Sequence, residues 1–197
     1  PTVAPYFLPK LITALSTRLP ELDLSLREAV TQSLIEDLED GRIDLAVVAL
    51  PVSEATLTEF ALFDEKFVLV RMSKDALQPV PSPQKLQTMR LLLLEEGHCF
   101  RDQALSFCQV EDSRPGALME GSSLSTLVQM VGAGMGVTLI PEMAVKMETR
   151  SADVTIDHFP DPSPTRTIGM VWRKTNPLSA QFMQIGAIIR GAGGPFE

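Results

Sequence analysis

The sequence predicts an α/β protein of two lobes joined by two crossing strands. Alternating strands and helices occupy residues 22–50 and again residues 122–140. Two extended apolar stretches, Phe67–Val70 and Ile168–Trp172, bracket the middle of the chain, and a last helix is expected over residues 177–190. Strand-helix-strand units are typical of α/β folds, and a cleft between two such lobes is a common ligand site.

The N-terminal part is predicted as helix, strand, helix and strand. The first helix ends at Pro20 and has one apolar stripe, formed by Leu8, Leu11, Ile12, Leu15 and Leu19. Leucines alternate with polar residues over 22–26, which indicates a strand. A helix over 31–40 follows, with Thr31 as its candidate N-cap. The apolar run 43–50 is typical of a buried parallel strand.

The second alternating region begins with a helix over 124–131, capped by Ser122 or Ser123. A glycine-rich break over 132–136 separates it from a buried strand at 137–140. Phosphate-binding glycines stand where a helix begins, whereas these stand where one ends. A helix C-cap with a tight turn is therefore favoured over a nucleotide site.

Composition limits the possible functions of these 197 residues. The net charge is −8 and the isoelectric point is near 4.8. Because DNA binding relies on Lys and Arg to neutralise phosphates, we do not expect this segment to bind DNA by itself. No apolar run approaches the ~18 residues of a membrane span, and no secretion leader opens the chain, so we expect a cytoplasmic protein. The chain begins without Met, directly before a helical pattern, and we expect a fragment whose N-terminal part is missing.

The residues that can perform chemistry are concentrated around the two cysteines. A buried strand over 91–94 runs into Gly97, and a helix is expected to begin near Cys99. A helix N-terminus and nearby cations stabilise a thiolate, the nucleophilic form of cysteine. His98 precedes Cys99 and Arg101 follows it, so a reactive thiol is expected at this position.

Cys108 lies nine residues after Cys99. Over nine residues an α-helix advances about 13.5 Å and makes two and a half turns, which puts the two side chains on opposite faces. A disulfide needs Cα atoms within about 7 Å of each other. If this segment is helical when reduced, the two cysteines can be joined only if the helix unwinds.

The residues alone leave three interpretations of the cysteines open. Two cysteines are too few for a disulfide framework, and buried, inert cysteines are common. Redox chemistry is the second interpretation. Zinc binding, the third, would use every Cys and His present, in a spacing that matches no finger or ribbon: His98, Cys99, Cys108 and His158. A Cys–His peptidase pair is less favoured, because adjacent side chains rarely face each other.

The segment Glu96-Gly-His-Cys-Phe-Arg-Asp-Gln-Ala104, with Cys108 beyond it, resembles the OxyR family, the hydrogen-peroxide sensors among the LysR-type transcription regulators. The Gly-His-Cys motif with a second cysteine nine residues later is specific to that family. The resemblance extends over nearly the whole chain, through segments that are partly generic to LysR-type effector domains: 1–9, 62–65, 136–141 and 166–173.

The resemblance implies a two-lobed, periplasmic-binding-protein-like (type II) α/β fold with two crossing hinge strands. Residues 1–64 and 167–197 would form lobe I, and residues 65–166 would form lobe II, which carries the redox cysteines. A winged helix-turn-helix DNA-binding domain would precede this chain in the full-length protein. Promoter DNA and RNA polymerase would be contacted only by that full-length protein, which would assemble as a homodimer or homotetramer.

The resemblance also implies the roles of individual residues. Hydrogen peroxide would oxidise Cys99 to a sulfenic acid, and Cys108 would resolve it to a reversible disulfide, reset by a glutaredoxin- or thioredoxin-type reductant. Arg101 would support the helix start, and no cofactor or metal is expected. The peroxide pocket would contain Thr2, Thr31, His98 and Arg166. From the residues alone, N-capping by the two threonines and a surface carboxylate partner for Arg166 remain open.

The resemblance implies a switch in which each chain reacts with peroxide once per signal, and not a turnover enzyme. Two other hypotheses compete with it. The first is a LysR-type effector domain that binds a small metabolite reversibly in the cleft between the lobes, with both cysteines incidental. The second is a thiol peroxidase, which would consume peroxide continuously when a reductant is supplied.

Overall fold

The computed structural model describes residues 1–108 and 118–191. Its helices and strands follow the chain in this order: α1 (Ala4–Arg18), α2 (Thr31–Glu39), β1 (Ala46–Leu50), β2 (Leu57–Met72), α3 (Pro83–Leu86), β3 (Leu91–Leu94), α4 (Cys99–Cys108), β4 (Leu118–Gly121), α5 (Leu124–Gly132), β5 (Thr138–Pro141), α6 (Val145–Glu148), β6 (Val154–His158), β7 (Thr165–Arg173) and α7 (Ser179–Gly191). No helix in the described part of the chain combines the length and apolarity that crossing a membrane requires.

The chain forms two compact units. The first contains Val3–Glu65 and the chain from Arg166 onward, and the second contains Lys66–Thr165 together with Thr2. The chain passes from one unit to the other within β2 and again at the start of β7. Glu65 and Arg166 thus lie in the first unit and not in lobe II as expected, and Thr2 lies in the second unit and not in lobe I.

The first unit differs from the sequence predictions in its strands. Its β1 pairs antiparallel with β7, from Ala46 opposite Val171 to Leu50 opposite Thr167, so the predicted parallel strand is wrong in direction. A continuous apolar run reports burial on both faces of a strand and says nothing about the direction of its neighbour.

The predicted strand over residues 22–26 is also wrong, because these residues form no strand in the described part of the chain. Leu22, Leu24 and Leu26 remain 37%, 40% and 51% exposed. Alternation places apolar side chains on one face of an extended chain, but a strand also needs a neighbour that accepts and donates backbone hydrogen bonds. The expected strand-helix-strand unit is therefore incomplete at its start.

The C-terminal helix closes the first unit over the single tryptophan of the chain. Trp172 on β7 is 1% exposed, and its ring meets Phe182 of α7 edge to face, with centroids 5.7 Å apart. The predicted stripe on α7 is confirmed, since Phe182, Ile185 and Ile189 are all buried. The helix begins at Ser179, so Pro177 precedes its first turn.

The described strands of the second unit follow the order β4, β3, β5, β2 and β6. β2 pairs antiparallel with β5 on one side and with β6 on the other. β3 pairs in parallel with β4, and it reaches β5 through a bridge between Leu91 and Val137. All four residues of β3 are buried, so the helix that follows it starts from a fixed strand.

Helix α5 and the turn after it confirm the sequence predictions. The Ser123 hydroxyl caps the helix by accepting a hydrogen bond from the Thr126 amide at 3.2 Å. Beyond the helix, Gly134 has φ +80°, which favours glycine. A Cβ on Gly136 would lie 2.3 Å from the Arg90 carbonyl oxygen. These glycines make the turn into β5 and leave no reason to expect a nucleotide site.

Candidate functional site

Helix α4 carries both cysteines, one at each end, as predicted. It is reached from β3 through Gly97, whose φ of +90° favours glycine. Nothing lies within 4 Å of a Cβ built on Gly97, so the requirement is one of backbone conformation and not of space. Neither Cys99 nor Cys108 forms a disulfide.

The helix separates the two thiols. Ten residues of α-helix run from Cys99 to Cys108, and nine steps along it correspond to a rise of about 13.5 Å and half a turn beyond two full turns. The Cα atoms of a disulfide must come within about 7 Å of each other. Bonding between these cysteines therefore requires α4 to unwind.

The two thiols lie in different environments. Cys99, at the first turn, is partly buried, whereas Cys108, at the last residue, is 0% exposed. Burial raises the pKa of the Cys108 thiol to about 12. At neutral pH Cys108 is therefore protonated and sealed from solvent while the helix is intact.

Aromatic contacts hold α4 at both ends. Phe100 meets Phe67 of β2 edge to face, with centroids 4.9 Å apart. Phe107 meets Phe159 in the same manner, at 4.8 Å. Each such pair contributes about 0.5–1.5 kcal/mol beyond the burial of its rings. These contacts stabilise the helical form of the segment.

A buried charge also holds the helix. Arg101 is 4% exposed, and its Nη1 donates to the Leu94 carbonyl at the end of β3, at 2.9 Å. The same Nη1 lies 2.9 Å from Oε1 of Glu120 on β4, a side chain that is 47% exposed. Arg101 stands in the motif around Cys99, whereas Glu120 belongs to no motif and could not be singled out from the sequence. Only the parallel pairing of β3 with β4 could have brought the two together.

His98 directly precedes α4, and its carbonyl accepts a hydrogen bond from the Arg101 amide at 2.8 Å. Burial lowers the pKa of the His98 imidazole, which favours its neutral form. His158, by contrast, has a largely exposed side chain whose Nε2 lies 3.0 Å from the Glu142 carboxylate. Within residues 1–108 and 118–191, no group of three or more His, Cys, Asp or Glu residues could hold a metal ion.

The two threonines proposed for the peroxide pocket are not helix caps. Thr2 is buried, and the N-cap of α1 is Val3. Thr31 is the first residue of α2, whose N-cap is Val30 in extended conformation (φ −67°, ψ 154°). Neither cap makes a side-chain capping hydrogen bond. The predicted N-cap at Thr31 is therefore wrong by one residue, and capping does not explain either hydroxyl.

Arg166 lies in a buried ion pair. Its Nε and Nη2 are both 2.7 Å from Oε2 of Glu65, and both side chains are 0% exposed. The open interpretation of a surface carboxylate partner for Arg166 is thus wrong, because its carboxylate partner is buried. A buried pair of this kind resists loss of either member, since the remaining charge would have no compensation.

The second unit also contains an open cavity of about 460 Å³ beside α4. Seven residues line this cavity. Four lie on one side of α4, one lies on β2 and two lie at the start of β7 or just before it: Asp102, Gln103, Ser106, Phe107, Phe67, Pro164 and Thr165. Its volume lies in the range of pockets that hold small molecules.

Known proteins resemble this chain in sequence and in fold. The family model described as the LysR substrate binding domain matches residues 1–192. A probable hydrogen peroxide-inducible genes activator from Streptomyces viridosporus is 42% identical over 197 residues, which cover 98% of this chain and 63% of that protein. The chain thus spans less than two thirds of that curated relative.

Solved structures agree with the sequence match. A hydrogen-peroxide-bound cysteine-to-serine mutant of OxyR from Corynebacterium glutamicum superimposes with a TM-score of 0.89 at 34% identity, covering 98% of this chain and 62% of that one. The reduced OxyR regulatory domain from Pseudomonas aeruginosa gives 0.84 at 32% identity, covering 98% and 92%. These matches confirm the predicted two-lobed, periplasmic-binding-protein-like (type II) α/β fold. The chain belongs to the LysR substrate-binding domain family, and OxyR regulatory domains are among its relatives.

Proposed function

We propose that this chain is the peroxide-sensing regulatory domain of a LysR-type transcription regulator, switched by a reversible disulfide between Cys99 and Cys108. One observation carries the proposal: a single ten-residue helix holds one thiol at each end, on opposite faces, with neither in a disulfide. Relatives named as hydrogen peroxide-inducible genes activators support peroxide as the signal.

The chemistry proceeds in two balanced steps. The Cys99 thiolate attacks one oxygen of hydrogen peroxide, the O–O bond breaks, and the leaving hydroxide takes up a proton to become water. The Cys108 sulfur then attacks the sulfenic sulfur of Cys99, an S–S bond forms, and the hydroxyl of the sulfenic acid leaves as a second water. Two thiols are oxidised by two electrons in total, and one peroxide is reduced.

The order of these steps follows from the burial of Cys108. While α4 is intact, Cys108 is protonated and inaccessible, so the sulfenic acid on Cys99 must form first. Unwinding of α4 then exposes Cys108 and lowers its pKa towards the ordinary range, which makes it a nucleophile. The refolded segment is the signal that the rest of the regulator reads.

Four further residues are proposed to receive the peroxide: Thr2, Thr31, His98 and Arg166. Hydroxyl and imidazole groups can donate hydrogen bonds to the oxygen that leaves as hydroxide. Helix capping does not account for either threonine, because the N-caps of α1 and α2 are Val3 and Val30. The cation of Arg166, held by Glu65, would favour developing negative charge. Arg101 is proposed to support the start of α4.

The remaining properties belong to the full-length protein. We propose a cytoplasmic homodimer or tetramer whose winged helix-turn-helix domain, outside this chain, binds promoter DNA and contacts RNA polymerase. A glutaredoxin- or thioredoxin-type protein would reduce the disulfide. We propose a stoichiometric switch and not a turnover enzyme, in which each chain is oxidised once per signal and is then reset.

Mass spectrometry after treatment with half an equivalent of hydrogen peroxide tests the proposal. We expect one intramolecular disulfide between Cys99 and Cys108 in the wild-type chain. Cys108→Ser should instead trap a Cys99 sulfenic acid that dimedone labels, and Cys99→Ser should give neither product. Wild-type protein without the disulfide would overturn the proposal, and sustained peroxide consumption with a reductant would indicate a thiol peroxidase.

The second candidate is a LysR-type effector domain that binds a small metabolite reversibly, and the open cavity of about 460 Å³ beside α4 shows only that the second unit has room for a small molecule there. In that case both cysteines would be incidental. A metabolite that stabilises the Cys99→Ser variant against heat as strongly as the wild type, with no disulfide formed by peroxide, would favour this candidate.

A further inference from the structure

The ion pair between Arg101 and Glu120 joins the switch segment to the sheet. Arg101 lies inside the span from Cys99 to Cys108, and it is buried at 4% exposure. Its guanidinium contacts the Leu94 carbonyl and the Glu120 carboxylate, both at 2.9 Å. One cation therefore connects α4 with the end of β3 and with β4.

This arrangement depends on the helical form of the segment. The Arg101 amide donates to the His98 carbonyl at 2.8 Å in the first turn of α4, and this turn aims the side chain at β3 and β4. Joining the thiols must shorten the distance between the Cα atoms of Cys99 and Cys108 from about 13.5 Å to about 7 Å. The backbone on which Arg101 stands cannot keep its helical geometry through that change.

We infer that Glu120 is a positioning residue of the thiol–disulfide switch, because its carboxylate holds Arg101 in the reduced, helical form and so makes the disulfide easier to reduce. This inference rests on the proposed function and adds a residue that it did not include. Glu120 touches neither sulfur, and it acts through Arg101 alone.

The direction of the expected change in the thiol–disulfide equilibrium follows from thermodynamic linkage. A contact that exists in one of two states shifts their equilibrium towards that state, by the difference in its free energy between the two. If Glu120 is removed, the reduced form loses a partner for a buried cation, and the oxidised form loses nothing comparable. The equilibrium then moves towards the disulfide. We expect about a tenfold increase in the equilibrium constant for oxidation, which corresponds to about 30 mV for this two-electron couple.

The test is the redox equilibrium of Glu120→Gln against the wild-type chain in glutathione buffers of known composition. Alkylation of the remaining thiols and mass spectrometry give the fraction of disulfide. Glu142→Gln is the matched control, because it also removes a carboxylate from an ion pair of the second unit, but its partner, His158, lies on β6 and not on β3 or α4. Arg101→Met alone and combined with Glu120→Gln completes a double-mutant cycle.

We expect Glu120→Gln to favour the disulfide about tenfold and Glu142→Gln to stay within twofold of the wild type. The combined variant should not exceed Arg101→Met, because the two side chains act together. Equal shifts in Glu120→Gln and Glu142→Gln, or no shift in either, would overturn the inference.

A second readout separates the inference from the proposed function. If the wild-type chain forms no disulfide in any buffer, the proposed function fails, but the positioning role can still be measured in the reduced protein. Amide hydrogen exchange in α4 should be about tenfold faster in Glu120→Gln than in the wild type, with exchange in α5 unchanged. Equal exchange rates in α4 would then overturn the inference as well.

Discussion

Helices α4 and α5 have similar lengths and lie in the same unit, but they are built differently. α5 is capped by Ser123 and buries only apolar side chains, namely Leu124, Leu127, Val128 and Val131. α4 buries an arginine and a thiol beside its apolar residues, namely Phe100, Arg101, Ala104, Leu105 and Cys108. Gln103 of α4 also holds a buried side-chain oxygen for which the described residues provide no hydrogen-bond partner.

The difference indicates what each helix is for. Apolar burial and a cap stabilise one conformation, and no alternative arrangement of α5 would satisfy them better. Buried polar groups contribute only while their partners stay in place, so α4 loses much of its stabilisation once its geometry changes. We interpret α4 as a helix poised to unwind and α5 as a fixed part of the unit.

The reactivity of Cys108 is the most direct test of this comparison. If α4 did not pack firmly in the reduced protein, the thiol of Cys108 would react readily. Because burial raises the pKa of Cys108 from 9.0 to about 12, its thiolate fraction at pH 8 falls about a thousandfold. In the Cys99→Ser variant, we expect iodoacetamide to alkylate native Cys108 at least that much more slowly than in the urea-unfolded chain. The native rate should rise about tenfold per pH unit between about pH 7 and pH 9, because this range lies well below the raised pKa. A native rate within tenfold of the unfolded one would show that α4 does not protect its thiol.

Truncation of one buried leucine in each helix sharpens the comparison. Leu127→Ala in α5 should lower the free energy of unfolding by about 3 kcal/mol in both the reduced and the oxidised protein. Leu105→Ala in α4 should lower it by about 2 kcal/mol in the reduced protein and less in the oxidised one. Urea unfolding with and without the disulfide measures both. If Leu127→Ala changes the redox equilibrium as much as Leu105→Ala does, the two helices are not distinct in the way described.

The smallest expected effect comes from a matched pair of exposed serines, Ser106 in α4 and Ser125 in α5. An Ala-to-Gly difference in a helix interior costs about 1 kcal/mol, which is about fivefold in an equilibrium constant. Ser106→Gly should therefore favour the disulfide about fivefold relative to Ser106→Ala. The same two substitutions at Ser125 should change thermal stability but leave the glutathione equilibrium unmoved. A fivefold redox difference at Ser125 would contradict the assignment of α4 as the part that refolds.

The sequence predicted correctly those helices whose formation depends on residues close together in the chain. The serine cap and apolar stripe predicted α5, and Gly97 ahead of the two cysteines predicted α4. Both are properties of a few neighbouring residues and need no knowledge of the rest of the chain.

The predictions that were wrong or missing depend on contacts between residues that are distant in the chain. The leucines over 22–26 alternate as a strand requires, but the pattern could not reveal that none of the strands in residues 1–108 and 118–191 pairs with them. The direction of β1 and the contact of Arg101 with Glu120 depend likewise on which strands become neighbours. Thr31 failed for another reason, because helix boundaries shift by a residue or two without changing the pattern.

The place of the single tryptophan gives the molecule an intrinsic fluorescent reporter. Trp172 is enclosed in the first unit, whereas the cysteines and α4 belong to the second. Its emission should therefore ignore any event confined to α4. A change in the Trp172 spectrum when peroxide is added would mean that oxidation in the second unit had altered the structure of the first. The time course of that change would measure the rate of this coupled rearrangement.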